Sequence, residues 1–178
     1  IAGGIVGVSS GQTNIYACTF APDETSILTA AYAVGGIIGY LSEVSDRVMG
    51  CIVHDFTFTE EAEYLGGICG MIRSTNTIQC QSCVVYNIKA EGSWQLACIA
   101  PTNYYQYCYY YSVFGSSSTK GEGKNSVGIN NLEDLSYQTV IDELNNLLFH
   151  SSFERKYRFE ASRTPKKTGP TIKPGEPY

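Results

Sequence analysis

The sequence predicts an all-β protein, a short right-handed parallel β-helix (β-solenoid) of about four coils, finished by a short α-helical C-terminal cap. Three observations predict it. A block of glycines and aliphatic residues recurs at a nearly constant interval, as Gly3-Gly4-Ile5-Val6-Gly7, Gly35-Gly36-Ile37-Ile38-Gly39 and Gly66-Gly67-Ile68-Cys69-Gly70. About a dozen residues after each block a strand-like segment ends in cysteine, as Ile15-Tyr16-Ala17-Cys18, Val48-Met49-Gly50-Cys51 and Cys80-Gln81-Ser82-Cys83, with Tyr105-Gln106-Tyr107-Cys108 as a fourth copy. Beyond Gly121 the apolar residues change to helical spacing. A fixed period in this range marks units that bury their apolar face only by stacking on copies of themselves.

Each unit offers three strands: the glycine block, the cysteine-ended segment, and a third apolar segment seen in Ser26-Ile27-Leu28-Thr29, Phe56-Thr57-Phe58-Thr59 and Tyr86-Asn87-Ile88-Lys89. The turn residues between them, Ser9-Ser10-Gly11, Ser45-Asp46 and Ser74-Thr75-Asn76, leave no room for crossover helices inside a unit. Parallel pairing of equivalent strands advances the chain by about 4.8 Å per coil, so four coils make a stub about 20 Å long.

The glycines Gly4, Gly7, Gly36, Gly39, Gly67 and Gly70 form the structural motif of the repeat. Beside a strand they permit a tight bend or bulge where a side chain would strike the next coil or demand a disfavoured backbone angle. The fourth unit, Leu96-Ala97-Cys98-Ile99-Ala100-Pro101, keeps the hydrophobicity and has lost the glycines. Terminal repeats must finish a stack, so this divergence reads as the start of a cap.

Of seven cysteines, Cys18, Cys51, Cys83 and Cys108 share one repeat position and are expected to stack inward as a ladder of small hydrophobes. The Cys80-Gln81-Ser82-Cys83 spacing also admits a redox pair or zinc. A redox pair needs a helix N-terminus and structural zinc a second ligand pair, and residues three apart on a strand face opposite ways. No metal and no cofactor are expected.

Of the common enzyme signatures, no phosphate-binding glycine loop and no His-Glu-x-x-His occur, and His54 and His150 are the two histidines. Asp23, Glu24, Asp55, Glu60, Glu61 and Glu63 fall near turns, where carboxylates are ordinarily solvated; the competing reading is a stacked acid and base, as in β-helical polysaccharide enzymes. A cluster of Trp94, Tyr104, Tyr105, Tyr107, Tyr109, Tyr110 and Tyr111 in the fourth unit is the candidate ligand surface, since alternate members of a strand face outward and tyrosine suits sugar stacking or a protein anchor. Filling of the interior and cover by the cap compete with that role.

Asn131-Leu132-Glu133-Asp134-Leu135 starts a helix, with Tyr137, Ile141, Leu144 and Leu148 on one apolar face set over the end or side of the stack. From Arg163 to Tyr178, Pro, Lys, Gly and Thr dominate, which predicts a linker, a tail or a strand that orders on a neighbour. The expected organisation is therefore solenoid over 1–120, helical cap over 121–162 and tail over 163–178. A net charge of −5 argues against nucleic acid or anionic membrane as partner. With Ile1 already inside the first motif and no targeting segment ahead of it, a further β element of the same protein, or a partner in an assembly, is expected against the first coil's edge.

The pattern Gly, large aliphatic, hydrophobic, Gly, with a trailing cysteine-ended strand, resembles the GLUG motif of bacterial surface proteins. Gly4-Ile5-Val6-Gly7, Gly36-Ile37-Ile38-Gly39 and Gly67-Ile68-Cys69-Gly70 match it, with Ile where the family usually shows Leu, over roughly the first two thirds of the chain. Thr139-Val140-Ile141-Asp142-Glu143-Leu144-Asn145 is similar to the short helix that follows such repeats in secreted Bacteroides-type proteins. The resemblance implies an exported, cell-surface, outer-membrane-associated module without catalytic residues. Its expected role is adhesion or assembly, its partners other surface proteins or a host or microbial glycan; a polysaccharide lyase or glycosidase and a structural spacer are the alternatives.

Overall fold

The computed structural model of the chain describes residues 1–23, 28–58, 62–73, 77–91, 96–101, 105–114, 126–150 and 157–174. Short strands gathered into four parallel sheets make up the bulk of the regular structure, and one α-helix, a 3-10 turn and one antiparallel strand pair complete the described fold. The first sheet holds Ala2–Gly3, Ala33–Gly35, Tyr64–Gly66 and Leu96–Ala97, and the second Val6–Val8, Ile38–Leu41 and Cys69–Ile72. The third holds Asn14–Tyr16, Arg47–Met49, Cys80–Gln81 and Tyr105–Gln106. The fourth holds Thr19–Phe20, Ile52–Phe58, Val84–Ala90, Tyr109–Phe114 and Val127–Gly128. In each sheet a strand pairs with its counterpart from the neighbouring unit: Val34 lies between Ala2 and Leu65, Val48 between Ile15 and Cys80, Val53 between Phe20 and Val85.

Each complete unit therefore carries four strands, not three. The glycine block is not a strand but the corner between two, with Gly35 ending one strand and Ile38 starting the next. In the first unit Thr19–Phe20 joins the fourth sheet, with Phe20 in register with Val53; of the segment 26–29 expected there, residues 26 and 27 lie outside the described residues. At every corner one carbonyl accepts two amides of the preceding unit. Ile37 O takes Ile5 and Val6 N–H at 3.0 Å; Ile68 O takes Ile37 and Ile38 at 3.0 and 3.1 Å; Ile99 O takes Ile68 and Cys69 at 2.8 and 3.1 Å. These backbone groups stay satisfied through a bend that would otherwise strand them.

The same corner explains the glycines. A Cβ at Gly4 would lie 2.3 Å from Gly36 O, at Gly36 2.3 Å from Gly67 O, and at Gly67 2.2 Å from Cys98 O. A Cβ at Gly39 or Gly70 would meet backbone of the preceding unit, Gly7 O at 2.6 Å and Gly39 O at 2.7 Å. Close approach between units, not a left-handed backbone angle, is what excludes a side chain here. In the fourth unit Cys98 holds the place of Gly67, and among the described residues no further unit lies beyond it at this corner, so its Cβ is accommodated.

Cysteines line the core. Cys51, Cys83 and Cys108 are buried and Cys18 is half-buried, and the four thiols repeat one hydrogen-bond pattern. Each donates to the carbonyl two residues earlier: Tyr16, Met49, Gln81 and Gln106, at 3.4, 3.5, 3.2 and 3.4 Å. Three of them also reach the unit below, at Ile15, Val48 and Cys80 O, at 4.0, 3.8 and 3.9 Å. The residue before each cysteine, Ala17, Gly50, Ser82 or Tyr107, has φ between 48° and 64°, a left-handed turn that swings the cysteine inward. For this reason Cys80 and Cys83 both face the interior, contrary to the expectation that they diverge. Neighbouring thiols and burial push the Cys80 thiol well up, with Cys69 the largest influence, and burial does the same to Cys83. Such thiols are protonated and poor nucleophiles.

Asp46, expected in a turn, is fully buried. Its carboxylate accepts the Thr13 and Glu43 amides at 2.8 and 2.9 Å and the Ser9 hydroxyl, tying the 9–13 turn of the first unit to the 42–47 turn of the second. Asp46→Ala orphans these donors and is expected to lower the unfolding free energy by about 3 kcal/mol in urea titration. Asp46→Asn, which keeps one acceptor oxygen, is expected to lose less.

After the sheets a 3-10 turn, Leu132–Ser136, leads into helix α1, Gln138–His150. Ile141, Leu144 and Leu148 are buried in one cluster with Met49, Ile52, Val84, Tyr109 and Phe159, which come from three successive units and the C-terminal strand pair. The helix thus lies along one side of the stack. Tyr137 precedes the helix and is exposed, so it does not join the apolar face to which spacing assigned it.

The expected tail at 163–178 is a further correction. Over 163–174 it is part of the fold: Thr171–Pro174 pairs antiparallel with Tyr157–Glu160, and Glu160 meets Lys173 at 2.6 Å and Arg158 at 3.0 Å. Asn145 ties α1 to this pair, accepting the Phe159 amide at 2.6 Å and donating to its carbonyl at 3.0 Å. The segment needs no core of its own because it uses surfaces the sheets supply. Gly169 seats so closely on the Tyr86 ring that a Cβ there would lie 2.5 Å from Cε1, and Ile172 covers Gly50. Residues 175–178 lie outside the described residues.

Candidate functional site

The long strands of the fourth sheet break at one level. Asp55, Asn87 and Ser112 adopt φ of 53°, 53° and 52°, in the positions between His54 and Phe56, Tyr86 and Ile88, and Tyr111 and Val113. Asp and Asn tolerate this left-handed conformation better than most residues. The bend makes a column of polar side chains across three units, about 4.8 Å apart by the spacing of paired strands.

The column opens into a cleft of about 210 Å³, lined by Asp55, Phe56, Thr57, Asn87, Ile88, Lys89 and Ser112. Asn87 Nδ2 donates to Asp55 Oδ1 at 2.9 Å, and His54 Nδ1 lies 2.8 Å from Asp55 Oδ2, so both carboxylate oxygens are held. The His54 ring stacks flat on Tyr86, centroids 4.6 Å apart and planes 3° off parallel. Burial raises the Tyr86 phenol to about 12, against the opposing pull of the Gly169 backbone. Tyr86 is thus neutral at physiological pH and fixed between the C-terminal segment and His54. Lys89, at the far side of the cleft, pairs with Glu91 at 3.2 Å.

Chemically the cleft offers a carboxylate, an amide, two hydroxyls and an ammonium, while the Phe56 and Ile88 side chains beside them are buried in the core. Such a set suits a polyhydroxylated ring, with its hydroxyls bonded by the polar lining. The volume is below the roughly 300 Å³ at which drug-sized sites begin, which suits one ring or one side chain at a time.

Two tyrosines of the aromatic cluster read from the sequence are placed inside the fold. Tyr105 is fully buried inside the stack, and Tyr109 lies under α1 with its hydroxyl bonded to Glu143, so neither faces a ligand. Tyr107, Tyr110 and Tyr111 are half-buried, Tyr110 against the core and Gly128, Tyr111 against the cluster under α1. Trp94 and Tyr104 lie outside the described residues, as do Glu24, Glu60 and Glu61. Of the weighed carboxylates that lie among the described residues, Asp55 lines the cleft and Asp23 and Glu63 do not.

Asn87, Ser112, Thr57 and Lys89 were not singled out by sequence reasoning. The signal that finds them is the aligned repeat Val53-His54-Asp55-Phe56, Val85-Tyr86-Asn87-Ile88 and Tyr110-Tyr111-Ser112-Val113, in which a turn-forming polar residue interrupts a strand at one fixed place. Among the described residues no group of three or more His, Cys, Asp or Glu gathers as a metal site would, and no helix is long and apolar enough to cross a membrane. No family model, curated protein or solved structure matches the chain.

Proposed function

We propose that this chain is a non-catalytic adhesion or assembly module of a bacterial cell surface, built as a right-handed parallel β-helix of four coils, that binds a glycan in the Asp55–Asn87–Ser112 cleft. The sheet orders and registers support the coil, and parallel crossovers in one sheet are right-handed in about 98% of cases. The resemblance to GLUG-motif surface proteins supports the location. The observation that carries the binding role is the polar column itself: three left-handed breaks, one above another, present hydrogen-bonding groups at a regular interval to a ligand that itself repeats. Binding without turnover is favoured because the described lining carries one carboxylate, whereas glycosidic hydrolysis uses two.

A printed array of host and microbial glycans, followed by calorimetry on the best binder, tests this reading. Asp55→Asn and Asn87→Gly both keep a residue that tolerates the left-handed angle, and each is expected to weaken binding about tenfold, roughly 1.4 kcal/mol, with melting unchanged. Unaltered affinity in both variants rejects the cleft. The polysaccharide-active alternative rests on the His54–Asp55 contact at 2.8 Å, and release of new reducing or unsaturated ends from any bound glycan would establish it instead.

A further inference from the structure

The two ends of the stack differ in a way the glycines record. In the interior, Gly39 and Gly70 are glycines because a Cβ would strike the preceding unit, Gly7 O at 2.6 Å and Gly39 O at 2.7 Å. Gly7 holds the same position in the first unit, yet a Cβ added there meets nothing closer than Ile1 O at 3.9 Å. Nothing in the structure requires Gly7 to be glycine. The side chains beside it agree: Ile5 is 48% exposed, whereas Ile37 and Ile68 at the same place are 0% exposed. Ile1 and Val8 on this edge are 46% and 45% exposed.

At the other end the pattern is reversed. The Gly4, Gly36 and Gly67 column is kept free of side chains because each Cβ would strike the following unit. Cys98, the next member, carries a Cβ that would meet a further coil in the same manner. The far end is therefore closed to another coil at this corner, while the near end is shaped to accept one.

We infer that the edge formed by Ile1, Ile5, Gly7 and Val8 is a docking surface for one more glycine-bearing coil of the same repeat, running in the same direction and joined through Ile1. The inter-unit interface already present three times continues across this edge. A carbonyl at the position of Gly7 O, one unit earlier, would lie where the Gly7 Cβ would otherwise sit. The fourth coil of a second copy is unsuited as occupant, because Cys98 brings a side chain where the contact demands none.

The test adds a copy of residues 33–63 ahead of Ile1, so that Ile1 takes the register of Tyr64, and compares melting by circular dichroism with the unextended chain. Gly7→Ala is expected to leave the midpoint of the unextended chain unchanged. The extended chain is expected to melt higher in a single transition, and Gly7→Ala in it to lower the midpoint by roughly 10 °C, as a backbone clash between coils requires. The proposal is overturned if protease trims the added unit back to Ile1, or if Gly7→Ala is as harmless in the extended chain as in the original. It is equally overturned if Gly7→Ala already destabilises the unextended chain. A dimer of the unextended chain by sedimentation, with the Ile5 amide protected from exchange, would assign the edge to a second copy and not to a joined coil.

Discussion

Gly36→Ala is expected to lower the unfolding free energy by about 3 kcal/mol and the melting midpoint by roughly 10 °C. The added Cβ would sit 2.3 Å from Gly67 O and 2.7 Å from both methyls of Val53. Val53 is itself fully buried, and the Gly67 carbonyl belongs to backbone fixed by pairing on either side, so no flexible side chain can give way. Relief requires the second and third units to separate at this corner, which lengthens the paired amides of Ile37 and Ile38 to Ile68 O. Gly11→Ala is the control. Its Cβ would meet nothing within 4 Å, and only the positive φ of 106° opposes it, at roughly 1 kcal/mol. Equal effects of the two substitutions in thermal melts would show that close approach of the units is not what these glycines provide.

Leu144→Asp is expected to have the larger effect, about 4 kcal/mol or more, with aggregation as the accompanying outcome. Leu144 is fully buried between α1 and the side of the stack, in the cluster with Met49, Ile52, Val84 and Tyr109. A carboxylate there either is desolvated without a partner or lifts the helix away, and lifting it uncovers the apolar flank of three units. A contiguous exposed apolar surface of this kind invites association. Tyr137→Asp, seven residues earlier, just ahead of the helix and 55% exposed, is expected to change stability by less than about 0.5 kcal/mol. Light scattering during a temperature ramp separates the two variants, and a Leu144→Asp protein that melts like the parent would refute the packing of α1 on the sheets.

The repeat was legible because stacking places equal residues in equal surroundings. Gly36 and Gly67 meet the equivalent carbonyl of the next unit, and Cys51 and Cys83 donate to equivalent pairs of carbonyls, so periodicity in the chain becomes a column in space. The expected count of strands failed because a glycine block looks alike as strand or corner until its hydrogen bonds are seen. Ile37 and Ile38 give both their amides to one carbonyl, which a regular strand does not do. Tyr105 and Tyr109 of the aromatic cluster turned out buried for a different reason. A run of tyrosines says that rings are present but not which side of the strand the cap will cover, and α1 covers Tyr109.

By itself the amino-acid sequence determined the parallel stacking: the period, the side-chain-free corners and the inward thiols all follow from residue types that recur at matched positions, each of them a local requirement repeated. Only the tertiary structure decided that α1 runs along the flank, that 163–174 folds back onto Tyr86 and Gly50, and that Asp55, Asn87 and Ser112 open into a common cleft. Those outcomes rest on contacts between segments that share no repeat, such as Gly169 on Tyr86 or Asn145 on Phe159, and no pattern along the chain encodes which of two apolar or polar surfaces will meet.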